Sequence, residues 1–383
     1  MIKIGIDGHN LEQSRAGVAR TLLEELKGLS KIPFVRENIR FIIYFKTNPP
    51  TDLILNDPIC EKKVLPHFIR PSSVIFYNII LPFYALRDRV DFCYFPCYML
   101  PLFYYGKAIV TLHDVAYEAH SEWFKPYYRY SYHILSRRAA KLASAVITIS
   151  DFSKREIMKY YKIASEKIWS IPLAPSDIFK RIDDIVKQIA VKKKYGIENK
   201  FIFFVGQIFN RRHIYEAMLA FKKIAKDFSG HQFLVAGRDL TYPDLQIDVL
   251  ARKINKELGR EAIIRCSKVE TDEDLLYLYN SADLFVYLSE YEGFGLPPME
   301  ALTCGTPILI GQSGVSEEVF GEAAFVVKKS DVVEDVAEMM KTALTNDAKR
   351  EAVLKAAVLQ VGKFSWNNHC ENLLDLFKKV ANK

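Results

Sequence analysis

Ser289-Glu290-Tyr291-Glu292-Gly293-Phe294-Gly295-Leu296-Pro297-Pro298-Met299-Glu300 is the stretch from which the fold is read. It follows an apolar run, Leu284 to Leu288, of the kind buried on both faces in a parallel sheet. Pro297 and Pro298 suit the first turn of a helix, where a missing N–H costs nothing. Strand, tight turn and helix therefore follow one another within a few residues. Gly293 and Gly295 let the turn come close to a ligand, and a helix N-terminus beside them attracts phosphate. Two carboxylates bracket the turn, Glu292 on the loop and Glu300 expected in the first helical turn. Both can face one cleft and accept hydrogen bonds from hydroxyls. Phosphate-binding backbone between hydroxyl-binding acids describes a nucleotide-sugar site. The plainer alternative is a helix start whose acids only favour the dipole.

Outward from this string, apolar runs alternate with helical periods along the whole chain, the mark of doubly wound α/β layers. Strands are expected near 2–7, 39–44, 92–95, 107–112, 145–149 and 168–171 in the first half. In the second they are expected near 201–205, 233–236, 262–264, 284–288 and 306–310. Arg181 to Lys200 is charged and helical, without a strand of its own. The length of 383 residues fits two domains. They are expected at 1–185 and 186–364, with a closing helix at 365–383.

Composition is that of a globular chain, 50% hydrophobic and 26% charged. The six cysteines are scattered, and Cys93-x3-Cys97 has no second half to complete a zinc site, so free thiols in a reducing cytoplasm are expected. The opening Met1 to Asp7 has the pattern of a strand rather than of a signal peptide. The most apolar run, Val74 to Leu86, is too short to span a bilayer. Residues 1–190 hold 27 Lys/Arg against 19 Asp/Glu, and the remainder 26 against 27. A basic first half favours something anionic, such as a phospholipid surface or a polyprenyl-diphosphate carrier.

Along the chain, Gly17 stands at a helix start and can bring backbone N–H groups near a diphosphate. The fingerprint of dinucleotide-binding dehydrogenases is missing there. Ile109 to Leu112 delivers His113-Asp114 at a strand's carboxyl end, where open α/β sheets place ligands. The imidazole can donate to a sugar hydroxyl or to phosphate, with Asp114 to orient it. Thirteen aromatic residues between Tyr94 and Tyr132 offer rings for sugar stacking or a membrane-interface patch, though most are expected in the core. Phe201 to Val205 ends at Gly206, followed by Gln207, Arg211 and Arg212. Asp272-Glu273-Asp274 spells a metal-binding D-x-D, but with Thr271 before it a capped helix start explains it.

The E-x7-E string at Glu292 and Glu300 resembles the signature of retaining glycosyltransferases with the GT-B fold, and the chain is similar to glycosyltransferase family 4 over nearly its whole length. The resemblance implies two Rossmann-like domains facing a central cleft. It places the donor sugar at Glu292, the ribose at Glu300, and the sugar and diphosphate beside backbone at Phe294, Gly295 and Leu296. His113 followed by Asp114 matches the mannosyltransferase-like members, in which this histidine lies against the donor sugar. Gly17 matches a glycine that the family's first loop carries beside the cleft, Gly206 matches the glycine of the family's Gly-Arg-Leu strand end, and Val269 falls on its base-contacting loop. Arg212 stands where the family commonly has lysine, and Gln207 where it commonly has arginine. That loss puts shared phosphate binding in doubt unless Arg211 compensates.

The expected activity is retaining transfer of a sugar, with GDP-mannose the favoured donor, to a saccharide or a polyprenyl-diphosphate-linked saccharide in cell-surface polysaccharide synthesis. His113, Arg212 and Glu292 are the expected catalytic residues. No cofactor is expected and metal is not required; nucleic acid is not a partner. A cytoplasmic location is expected, with peripheral contact at an anionic inner membrane face. Two alternatives remain: a non-catalytic carbohydrate- or lipid-binding protein, and a nucleotide-sugar epimerase on the same fold.

Overall fold

A computed structural model describes residues 1–12, 17–65 and 72–382, the side chain of Tyr128 excepted. Ala16, at the expected helix start, lies outside the described residues. The chain divides into two compact units, one made of 1–121, 126–173 and 365–383, the other of 122–125 and 174–364. The changeover thus falls at Leu173/Ala174, ahead of the expected 185.

The first unit is a seven-stranded parallel sheet of β1 (Ile2–Asp7), β2 (Ile39–Phe45), β3 (Cys60–Val64), β4 (Phe92–Phe95), β5 (Ala108–Thr111), β6 (Ala145–Thr148) and β7 (Ile168–Ser170). Its order is β3-β2-β1-β4-β5-β6-β7. β4, β5 and β6 are buried at every residue, which is why they read as unbroken apolar runs. β3 was not foreseen. As an edge strand it carries Glu61, Lys62 and Lys63, and charge blunts an edge that would otherwise invite pairing.

The helix Trp366–Ala381 belongs to this unit and packs on the helix Val18–Ser30. Gly28 permits the approach, since a Cβ there would lie 2.3 Å from Cys370 Sγ. Leu373, Leu376 and Phe377 complete the same core as Leu22, Leu26 and Ile4.

The second unit is a six-stranded parallel sheet of β8 (Lys200–Val205), β9 (His231–Ala236), β10 (Ile263–Cys266), β11 (Leu284–Tyr287), β12 (Ile308–Gly311) and β13 (Phe325–Val327), ordered β10-β9-β8-β11-β12-β13. Three residues make β13 too short to show a period, and it too was unforeseen. In 181–200 the helix covers only Ile185–Lys194.

In both sheets the strand order reverses beside the first strand, between β1 and β4 and between β8 and β11. Open α/β sheets bind ligands outside the carboxyl ends of strands at such a switch point. Gly206 leaves the end of β8, and Ser289 to Glu292 leave the end of β11.

Candidate active site

Register explains the centre of the second unit. β8 and β11 are hydrogen-bonded neighbours, so the loops after them emerge side by side. Arg212, on the first loop, donates from Nε to Glu292 Oε1 at 3.1 Å, and its second terminal nitrogen lies 3.1 Å from the same oxygen. Tyr287 and Ser289 donate their hydroxyls to that oxygen, each at 3.0 Å. Arg212 Nη1 donates to the main-chain carbonyl of Gln207 at 2.7 Å, and the guanidinium lies 4.9 Å from the Tyr287 ring centroid.

Burial alone would raise the Glu292 carboxyl pKa. The Arg212 and Arg211 charges, with hydrogen bonds from Ser289 and Tyr287, outweigh it and hold Glu292 below the usual carboxylate range. Arg211 Nε lies 4.0 Å from Glu292 Oε1, is buried, and has no hydrogen-bond partner among the described residues. Two guanidiniums therefore surround one carboxylate, and a positive charge is left over. Gln207 is exposed and joins the centre through its main-chain carbonyl, while Arg211 brings a second guanidinium to the same carboxylate.

Glycine is required where this loop begins. Gly206 has φ 139°, and a Cβ on it would meet Arg212 Nη1 at 2.7 Å. Gly237, at the end of β9, sits against the Gly206 carbonyl; it was not foreseen, although Phe233 to Gly237 repeats the strand-then-glycine pattern.

Gly295 caps the helix Leu296–Thr303 with φ 97°. A helix start carries four N–H groups without partners inside the helix. Pro297 and Pro298 delete two of them, leaving those of Gly295 and Leu296. Phe294 is buried against Phe364, so only its backbone is placed to serve a ligand. Glu300 lies beyond the first turn, not within it, because the helix begins at Leu296. It is buried and accepts from the Tyr279 hydroxyl at 3.0 Å. Val269 is half-buried on the loop after β10. The D-x-D acids are structural. Thr271 caps the Asp274 N–H, and Asp274 Oδ2 takes Lys194 and Tyr195 at 2.8 and 2.9 Å.

In the first unit Gly17 is exposed, with φ 56° at the cap of the helix Val18–Ser30, and no described residue other than its chain neighbours lies within 4 Å of where a Cβ on it would stand. His113 Nε2 faces the Pro96 carbonyl at 3.1 Å, and a carbonyl only accepts, so Nε2 carries the proton. Burial keeps the ring pKa below 6.5 despite Asp114 and that carbonyl. At neutral pH the ring is therefore uncharged and Nδ1 is an acceptor. Asp114 does not orient it: Oδ1 accepts from the Ala116 N–H at 3.1 Å and so holds the next helix turn. The Tyr98 ring meets His113 edge-on at 5.7 Å.

Tyr287, Ser289 and His213 were missed as site residues. Tyr287 had a signal, being the one hydroxyl in the run Leu284 to Leu288. His213 lies 3.0 Å from Glu290 and 3.4 Å from Glu216, and the Glu290 N–H donates to the Arg211 carbonyl, which joins the two loops again.

Two Rossmann-like parallel-sheet units, one carrying an acid–guanidinium centre at its switch point, define a glycosyltransferase of the GT-B class. The family description Glycosyl transferases group 1 matches residues 187–360 and Glycosyltransferase Family 4 matches residues 17–174. The chain belongs to this glycosyltransferase group. It is 29% identical over 316 residues to the O-antigen chain mannosyltransferase B of Escherichia coli, covering 81% of each protein. It is 30% identical over 239 residues to the serotype-specific mannosyltransferase WbdA of Escherichia coli, covering 62% of this chain and 29% of that protein. The sucrose-phosphate synthase of Thermosynechococcus elongatus superposes with a TM-score of 0.78 over 99% of both chains at 16% identity, which shows the shared fold.

Proposed function

We propose that the chain transfers mannose from GDP-mannose, with retention, to a saccharide carried on a polyprenyl diphosphate at an anionic membrane surface. The observation that carries this reading is the part-buried Arg211–Arg212–Glu292 centre, in which two guanidiniums face one carboxylate. A diphosphate completes such a centre, and its developing charge on departure is what fixed donors stabilise best. Arg212 would hold the diphosphate with Arg211 and the N–H groups of Gly295 and Leu296. Glu292 would take a donor-sugar hydroxyl and Glu300 the ribose. His113, neutral, would accept a hydrogen bond from the sugar at Nδ1. Gly17, Gly206 and the Val269 loop would complete the donor seat.

The anomeric carbon–oxygen bond breaks with its electron pair passing to the diphosphate oxygen. The acceptor oxygen bonds to that carbon from the same face and gives its proton to the departing phosphate. No metal is needed in this scheme, because the guanidiniums and N–H groups do the charge work. The mannose and O-antigen choices are supported by the named mannosyltransferases.

A ligand bound only by the folded state raises the melting temperature. Nucleoside diphosphates and nucleotide sugars are therefore compared by thermal shift, with EDTA and then with magnesium. GDP and GDP-mannose are expected to stabilise without metal. Stabilisation by UDP compounds alone would overturn the donor, and a strict magnesium requirement would overturn the metal-free scheme.

A further inference from the structure

Residues 73–87 form one helix, α-helical at Ser73–Ile75 and Leu81–Arg87 with a π segment at Phe76–Ile80. Pro82 lacks the N–H that would bond the Asn78 carbonyl, which accounts for the widened turn before it. One face, with Phe76, Leu81 and Ala85, is buried. The opposite face should be polar in an ordinary surface helix. Instead no charged residue occurs from Ser73 to Leu86, and Ile75, Ile79, Phe83 and Leu86 stand exposed along one stripe, Phe83 by 59% and Leu86 by 79%.

The surface continues. The Leu102 N–H donates to Asn78 of this helix at 2.8 Å, and the Leu102 carbonyl accepts from Arg138 at 2.8 Å. Its neighbours Phe103 and Tyr105 are exposed, Tyr105 by 85%. Arg138 belongs to the helix Pro126–Leu142, which holds four cations and no carboxylate. On that helix Tyr127, Tyr130 and Ile134 are exposed on the stripe that runs on to Arg137 and Lys141.

We infer that this face, formed by the helix over 73–87, the Leu102–Tyr105 loop and the helix Pro126–Leu142, docks on the headgroup layer of an anionic lipid bilayer. Apolar side chains enter the acyl boundary, tyrosines sit at headgroup level, and Arg137 and Lys141, on the exposed stripe, meet lipid phosphate. Arg138 holds the loop carbonyls, and the Glu118 carboxylate pairs with His133 of this helix. The charge complementarity selects a lipid surface over a second copy of the chain, whose own cations would face these. No helix among the described residues is long and apolar enough to span a membrane. The inference rests on the membrane-surface part of the proposed function and fixes where that contact lies.

The test is flotation of the full chain with phosphatidylcholine vesicles and with vesicles of phosphatidylcholine and phosphatidylglycerol. Binding is expected only to the anionic vesicles, and loss of it in high salt. F83S/L86S, at exposed positions, is expected to weaken partitioning about tenfold or more. R137Q/K141Q is expected to weaken it roughly thirtyfold, a factor of about five for each cation near an anionic surface. Melting temperature and the GDP-mannose thermal shift report separately on folding and on the donor site. No flotation by a chain that still responds to nucleotide overturns the lipid inference and leaves the donor site standing. Equal binding to both vesicle types, or a concentration-dependent dimer that F83S/L86S disperses, overturns it as well.

Discussion

In the second unit, Glu292 is held by two guanidiniums, two hydroxyls and a close loop geometry, all at the ends of β8 and β11. In the first, His113 at the end of β5 has a carbonyl on Nε2 and an aromatic edge beside it, and burial keeps its ring neutral. Each lies beyond the carboxyl end of a strand in its own parallel sheet, yet one is built from compensated charge and the other from an uncharged hydrogen-bonding ring. A buried charged centre tolerates no deletion, because removing one partner leaves the others uncompensated. A neutral centre loses less: its ligand contact, one hydrogen bond to a carbonyl and a ring contact.

Glu292→Ala offers the sharpest break. It strips the carboxylate from Arg212 and Arg211 and leaves two part-buried guanidiniums without it. Sugar transfer should fall by about a thousandfold or more. Stability should drop by about 3–5 kcal/mol, the usual cost of breaking a buried pair from one side. Turnover assays with chemical denaturation read both. A folded Glu292→Ala variant with near-normal turnover would remove the charged centre from the chemistry. Arg212→Lys comes next. It keeps the charge but loses the planar fork that reaches Glu292 and the Gln207 carbonyl together, so KM for the nucleotide sugar should rise about tenfold.

His113→Ala should cost transfer about a hundredfold and stability about 1–3 kcal/mol, less than the charged centre, because the Pro96 carbonyl loses its donor. Turnover should stay level from pH 8 down to 6.5, since the ring protonates only below that value. An acid limb beginning above 6.5 and abolished in the variant would mean a charged ring in the free protein. The contrast between the two centres would then fail.

How much of this could be read from sequence follows the same contrast. The string from Ser289 to Glu300 carries its turn, helix start and acids within a few residues, so it was legible. His113 was legible as a polar group at the end of an apolar run. The pairing of Arg212 with Glu292 was not, because it spans 80 residues and depends on β8 lying beside β11. The donors Tyr287 and Ser289 become partners of Glu292 only once the loop folds back over the end of its own strand. Asp114 was misread for a related reason. Adjacency to His113 implied an orienting bond, whereas a short acid two residues ahead of a helix turn finds the nearer Ala116 N–H. β3 and β13 escaped because an edge strand full of charge and a three-residue strand show no apolar period.

The smallest expected effect tests whether the charged centre is framed by a second, titratable pair. Burial would lower the His213 pKa, but Glu216 and Glu290 raise it to about 9. The unfolded value is 6.5, so between these pH values the folded chain holds a proton that the unfolded chain has released. That contribution is complete below pH 6.5 and is lost as pH rises through about 9. Glu292 has the opposite sign. Its folded pKa is depressed below 4.5, so its contribution is present above that value and is lost as pH falls through the folded pKa. His213→Asn removes the imidazole while tolerating the backbone, since φ is 47° at this position and asparagine accepts the left-handed region. The melting-temperature gap between the parent chain and the variant should be widest at pH 6.5 and below. It should close as pH approaches 9 while the Arg212–Glu292 pair stays intact on both sides. A gap that stays constant across this range would mean that His213 joins the loops as a neutral ring, and the first unit's uncharged mode of construction would then extend into the second.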